Sequence, residues 1–200
     1  LVTSAGVGPI DVLVAPTPGG IVVAHRSLAE LRALGHLTCK RGNRIDPALA
    51  SDAGTVAVLP DAGFMLDPFD AARRYPRALR TEPGDVVFVA KPHPAAWVDT
   101  VGGALVASPA RVIRLLPAAE FGPRLLATVI NHTAAAGTDW ESWRVPVVRG
   151  ESERLETALA EADRFEDELR QRLSATHELK NALIEGVAAG ALTLEVGKGL

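Results

Sequence analysis

Between Glu151 and Val187 the chain reads ESERLETALAEADRFEDELRQRLSATHELKNALIEGV, with no proline and no glycine before Gly186. Leu, Ala, Glu and Arg fill it, and these residues lose little on entering a helix. Leu155, Ala162, Leu169, Thr176 and Leu183 stand seven apart. Ala158, Phe165 and Leu179 hold the companion positions, and Leu159, Leu173 and Val187 widen the stripe. This is a heptad seam. At 1.5 Å per residue, about 32 helical residues span roughly 48 Å, more than a compact domain of about 150 residues covers. Part of the helix is therefore expected to project and pack against another helix, from a second chain or from a segment outside these residues. Leu155, Leu159, Ala162, Phe165, Leu169, Leu173, Leu179 and Leu183 are the expected partner-facing residues. A core helix of the same chain is the competing reading, which length and the seven-residue repeat disfavour. Arg172 interrupts the seam, as a register-setting or snorkelling residue does.

Composition divides the chain near the same point. All 14 prolines precede Glu151. Residues 1–150 carry 15 Lys and Arg against 13 Asp and Glu, a balance of +2; residues 151–200 carry 6 against 11, or −5, which together make the net −3. The acidity belongs to the helix. A domain over 1–150 followed by a helix and tail over 151–200 is expected, and 48% hydrophobic residues is ample for a core. Cys39 stands alone, no apolar run reaches membrane-spanning length, and no signal-peptide pattern opens the chain. A soluble, cytoplasmic protein is the expectation. A start at Leu1 rather than Met reads as a piece of a longer polypeptide.

In chain order, residues 10–24 read as two strands joined at Pro18-Gly19-Gly20. Ser27 begins a short helix, with Glu30 completing a capping box. LTCKRGNRID is a strand running into the basic turn Lys40-Arg41-Gly42-Asn43-Arg44, and GTVAVLP is another strand. DPFDAARRYPRALRTEPGD reads as a loop. Asp85–Ala90 is a buried strand launched from Pro83-Gly84. Trp97-Val98 and residues 104–117 supply further strands, and a helix runs from Pro123 to near Ala136. Trp140 and residues 143–148 form a last strand before the long helix. The expected class is α+β: a strand-rich domain, then one long coiled-coil-type helix.

No catalytic residue and no metal site are expected. Gly102-Gly103 and Gly6-Val7-Gly8 lack the strand-Gly-helix context of a phosphate loop, and the five histidines lack zinc-ligand spacing. Asp85 and Lys91 are similar to part of the Asp…Glu-x-Lys array of metal nucleases, but Val89 stands where its second carboxylate is needed. The tetrapeptide with which adenine methyltransferases hold a flipped base is also missing. What remains is a set of basic and amide side chains suited to phosphates and base edges. Lys40, Arg41, Arg44, Arg77, Lys91, Asn131, His132 and Arg144 are the expected DNA contacts, drawn from a wider set that includes Arg73, Arg74, Arg80, Arg111 and Arg114. Trp140 and Trp143 are expected to pack the junction with the helix.

The order of these pieces carries a resemblance. LAELRALGHLTCKRGNRID resembles the opening strand and turn of a target recognition domain from the specificity subunits of type I restriction-modification systems. LRTEPGDVVFVA looks like their "pGDivf" strand, RVIRLLPAAEFGPRLLATVIN like the strand and short helix that follow, and Trp143-Arg144-Val145-Pro146 like the closing strand. ELRQRLSATHELKNALIEGVAAGALT is similar to the family's spacer helix and tail. The likeness spans roughly residues 27–195. A full subunit has two recognition domains and two spacers, whereas this chain has one of each, and VVRGESE replaces the usual "Pro-x-x-Glu-Gln" after Pro146. The chain thus resembles a half-subunit, or the C-terminal recognition part of a fused adenine methyltransferase.

The resemblance implies a module that reads half of a bipartite site in double-stranded DNA, in a restriction or other phage-defence system. It further implies that S-adenosylmethionine is used by a separate N6-adenine methyltransferase domain or subunit. The long helix would then measure spacing and pair with a twin chain or a partner spacer helix. A protein-interaction adaptor that dimerises through its helix is the alternative, supported by the domain's balance of only +2. A small hydrolase or nuclease is a third reading. The discriminating observation is whether Arg41, Arg44, Lys91 and Arg144 gather on one face.

Overall fold

A computed structural model describes residues 24–91, 93–133, 139–147 and 152–190. They form the expected α+β arrangement ending in one long helix. Its organising strand is β5 (Asp85–Val89). The turn before it closes through the Asp85 N–H donating to the Glu82 carbonyl at 3.0 Å. Gly84 takes a φ of 90° there, the left-handed position that a type II turn demands after proline. Val86, Val87 and Phe88 are fully buried, so the strand is covered on both faces, as its unbroken apolar run predicts. Each such side chain contributes about 1.5–3 kcal/mol by leaving water.

Around β5 lies a four-stranded antiparallel sheet in the order β2 (Leu37–Arg41), β8 (Arg111–Leu115), β5, β6 (Ala95–Asp99). One face carries Leu37, Val86, Phe88 and Ile113. It packs under α1 (Leu28–Ala33), α3 (Pro123–Thr133) and β9 (Arg144–Val147), which bury Leu28, Leu31, Leu126, Ile130 and Val145 against it. On the other face Val87 and Val112 meet Val106 and Ala110. Val106 belongs to β7 (Leu105–Val106), part of a second sheet ordered β4 (Asp61–Leu66), β3 (Val56–Leu59), β7. That sheet shares a core of Ile45, Val58, Leu66, Ala71 and Leu105 with α2 (Pro68–Arg74). A two-stranded ribbon of β1 (Ala24–Ser27) and β9 completes the domain.

The expected capping box forms: the Ser27 hydroxyl accepts the Glu30 N–H at 3.2 Å, and the Glu30 carboxylate accepts the Ser27 N–H at 2.7 Å. Three elements depart from the sequence reading, the first being Trp140, expected in the last strand, which lies in a 3-10 turn over Trp140–Ser142. The stretch read as a loop holds α2, started by Asp67, whose carboxylate accepts the Phe69 N–H at 2.8 Å, with Pro68 in the first turn. Beside it, β4 pairs with β3 across a register shift at Ala57/Val58. The strands expected over residues 10–24 fall outside the described residues, apart from Ala24 in β1.

The terminal helix, α4 (Ser152–Ala188), has 37 residues and so runs about 55 Å. Here a correction is needed. Leu155 and Leu159 pack against the core of the sheet's helical face rather than facing a partner, because the helix starts directly over α3. Further along, the seam stands open: Phe165 is 36% exposed, Leu169 47%, Leu173 58%, Leu179 61% and Leu183 44%. Ala162 is exposed as well.

Candidate nucleic-acid interface

The register of the four-stranded sheet gathers residues distant in sequence. Arg41 lies opposite Arg111, Arg111 opposite Phe88, and Phe88 opposite Ala96. With strands about 4.8 Å apart, this rung is roughly 14 Å wide. The basic turn after β2, the Lys91 turn between β5 and β6, and the Ser108-Pro109 turn before β8 all leave the sheet at this end.

The basic turn is held flat against β7. The Asn43 N–H donates to the Val106 carbonyl at 2.8 Å, and the Asn43 carbonyl accepts the Ser108 N–H at 2.8 Å. A Cβ at position 42 would lie 2.6 Å from the Val106 oxygen, so only glycine permits this approach. The Arg41 guanidinium donates to Ser108 Oγ at 3.3 Å and 3.0 Å. Asn43 Oδ1 accepts the Leu79 N–H at 2.8 Å, which brings Arg77, two residues earlier, beside the turn. Lys40 points to the face shared with Leu79 and Val112. Lys40, Arg41, Arg44, Arg77 and Lys91 are all exposed.

The helical layer adds the other three expected contacts. Asn131 grips the edge of β6, its Oδ1 accepting the Ala96 N–H at 2.7 Å and its Nδ2 donating to the Ala96 carbonyl at 2.8 Å. That bond pins the C-terminal turn of α3 to the same rung and holds His132 beside it, exposed. Trp140 and Trp143 pack on Phe88 with ring centroids 5.8 and 5.6 Å away, and the Arg111 guanidinium lies 5.0 Å from the Trp140 ring. The tryptophans therefore pack, as expected, while Arg144 lies apart from the basic turn, in a shallow cleft with Glu30, Asp139 and Glu141. Arg144 is exposed and donates to the His25 carbonyl at 3.1 Å.

Acidic groups collect at the opposite end, where Asp85 faces Asp99 across β5 and β6. Arg114 donates to both Asp85 oxygens, at 2.8 and 2.7 Å, and to Glu82 at 2.5 Å. The hydrogen-bonded Asp85 carboxylate raises the Arg114 pKa, against the opposing effect of burial. Burial pushes the Asp99 carboxyl upward, but the Gly102 N–H, the Thr81 hydroxyl and the Val101 N–H outweigh it, and the net direction is down. Acids nearer the basic end are already engaged: Asp46 bonds the Ala48 N–H at 3.0 Å, Asp61 the Gly63 N–H at 3.0 Å, and Glu141 pairs with Arg32 at 2.8 Å.

Such an end suits a polyanion. Burial pushes the Cys39 thiol up to about 11, against the weaker pull of Arg111, which leaves it a poor nucleophile. Among the described residues no three His, Cys, Asp or Glu side chains are grouped for a metal ion, and no helix is long and apolar enough to cross a membrane. Sequence reasoning missed Asn43 and Ser108, which place the basic side chains. Gly42-Asn43 between two cations signalled the turn; nothing near Ser108 signalled its role.

No family model matches the sequence, and no curated protein matches it. Solved structures do. The specificity (S) subunit of a type I restriction-modification system from M. genitalium aligns over 84% of this chain and 46% of its own, at 12% identity and a TM-score of 0.58. The HsdS subunit from Thermoanaerobacter tengcongensis aligns over 88% and 48%, at 13% identity and a TM-score of 0.50. A chain from a structure of type I restriction-modification complex assembly aligns over 86% and 47%, at 14% identity and a TM-score of 0.53. The chain thus spans about half the length of the structures it matches. It shares the fold of about half of a type I restriction-modification specificity subunit, a strand-rich domain followed by a long helix.

Proposed function

We propose that this chain is a sequence-specific DNA recognition module of a type I-like restriction-modification or N6-adenine methyltransferase system, reading one half of a bipartite target. The observation that carries this reading is the convergence of Lys40, Arg41, Arg44, Arg77 and Lys91 at one end of the sheet. These five cations come from three separate segments, and the acids nearest them, Asp46 and Asp61, are engaged by backbone amides. The rung of roughly 14 Å is commensurate with a major groove of about 12 Å. Its cations suit the bordering phosphates, and His132 and the turn at Ser108 suit base edges. The seam from Ala162 to Leu183 docks a twin chain or a partner spacer helix. A separate methyltransferase domain or subunit, fused or associated, uses S-adenosylmethionine and flips the adenine; this chain supplies position.

Long-read mapping of N6-methyladenine in the source genome, with and without residues 1–200 deleted from their gene, tests the reading. Loss of one bipartite methylated motif is the expected result and names the target. Unchanged methylation refutes it in favour of a protein-interaction adaptor.

A further inference from the structure

Helix α3 begins without a capping side chain, and α4 supplies one. Gly122 precedes Pro123 at the start of α3, in the place where Ser, Thr, Asp or Asn ordinarily accepts the first free amides. Those amides are taken instead by Glu156 of α4: its Oε2 accepts the Arg124 N–H at 3.1 Å and its Oε1 the Leu125 N–H at 2.8 Å. A Cβ on Gly122 would overlap the Glu156 carboxyl group, so the glycine is what admits the carboxylate. One turn of α3 and two of α4 are then closed by an ion pair between Arg124 and Asp163. The far end of α3 is held by Asn131 to Ala96, on the rung of the reading face. Beyond Asp163 the helix borders a cleft of about 430 Å³ that separates Glu166, Asp167 and Arg170 from Ala96, Val98 and Thr128.

Resting on the DNA-recognition reading above, we infer that Glu156 is a positioning residue for specificity. Seated in the vacant cap of α3, it fixes the direction of α4 relative to the reading face, and so sets which spacing between half-sites is accepted. The 26 residues from Asp163 to Ala188 make a lever of about 37 Å. A swing of about 10° at the clamp moves its tip by roughly 6 Å, close to two base-pair steps of about 3.4 Å. Leu155 and Leu159 hold the helix to the core by non-directional contact. The carboxylate bonds supply the direction.

Two variants reach the same clamp from opposite sides: Glu156→Ala removes the carboxylate, and Gly122→Ala expels it. Spin labels at Ala72→Cys and Asn181→Cys, in a Cys39→Ala background, report the distance between domain and lever by pulsed electron resonance. In the full-length polypeptide with its partners, long-read mapping reports the spacing of the methylated motif. Expected in both variants are a distance distribution at least twice as broad as wild type and a motif whose single spacer length becomes two or more. Thermal melting confirms that each variant is folded; if Glu156→Ala fails to fold, Gly122→Ala decides. Unchanged distances in a folded variant overturn the inference, as does a broadened distribution with an unaltered spacer length. Absence of any methylated motif from the wild-type protein would defeat the recognition reading instead, and the label distances would still report on the clamp.

Discussion

The cations at the end of the sheet predict how binding responds to salt. If Lys40, Arg41, Arg44, Arg77 and Lys91 each neutralise one phosphate, log K against log salt has a slope of about −4.5. Between about 50 and 200 mM salt the affinity then falls by about three orders of magnitude. Because this electrostatic contribution is independent of sequence, fluorescence anisotropy with a labelled random duplex measures it before the target is known. Arg44→Ala together with Lys91→Ala makes the slope shallower by nearly two units, roughly 0.9 per lost phosphate contact. Both side chains are exposed, so the melting free energy should stay within about 0.5 kcal/mol of wild type. Arg170 and Arg172 are paired along α4 with Glu166, Asp167 and Glu168, and replacing them by alanine should leave the slope alone. A wild-type slope shallower than about −2, or a slope that drops for the helix pair and not for the turn pair, refutes the assignment of the reading face.

Three further outcomes are expected. Leu169→Glu puts a charge into a seam position that is 47% exposed in the isolated chain; sedimentation velocity should show lost association with little change in melting, and an unchanged assembly state sinks the proposed seam. Asp85 is 2% exposed and engages Arg114 and the Glu82 N–H, so Asp85→Ala should cost about 3 kcal/mol by calorimetry, the low end for a broken buried pair because Arg114 keeps Glu82. A loss below about 1 kcal/mol would show the pair to be structurally idle. With its thiol pushed from 9.0 to about 11, Cys39 should alkylate at pH 8 on the order of a hundredfold slower than a free thiol; iodoacetamide reaction at the free-thiol rate contradicts the burial argument.

Signals that were local in sequence were legible. Ser27 and Glu30 are three apart, so their capping box could be read directly; the Pro83-Gly84 turn and the apolar run of β5 are likewise short-range. Helix α4 is legible because its seam repeats. Strand β4 and helix α2 were hidden for physical reasons. Helix α2 has seven residues and buries only Ala71, too few to show a period, and β4 pairs across a shifted register that breaks alternation. At the candidate interface the residue types could be listed, but not their convergence. Arg41 and Ser108 are 67 residues apart, and only strand pairing brings them together. Glu156 was invisible for a subtler reason: on its own helix it is one more surface carboxylate, and its partner is the missing cap at Gly122.

The separation of charge along the sheet also bears on kinetics. Cations gather at the Arg41 rung and the carboxylates of Asp85 and Asp99 at the opposite one, where Arg114 offsets part of the negative charge. On the proposed DNA reading, a duplex would exert a torque on such a charge separation before any contact forms, turning the basic end toward the phosphates. The share of collisions that arrive correctly oriented is therefore set by residues at both ends. Neutralising the exposed Glu82 would, on that reading, slow capture although it lies at the end opposite the basic turn.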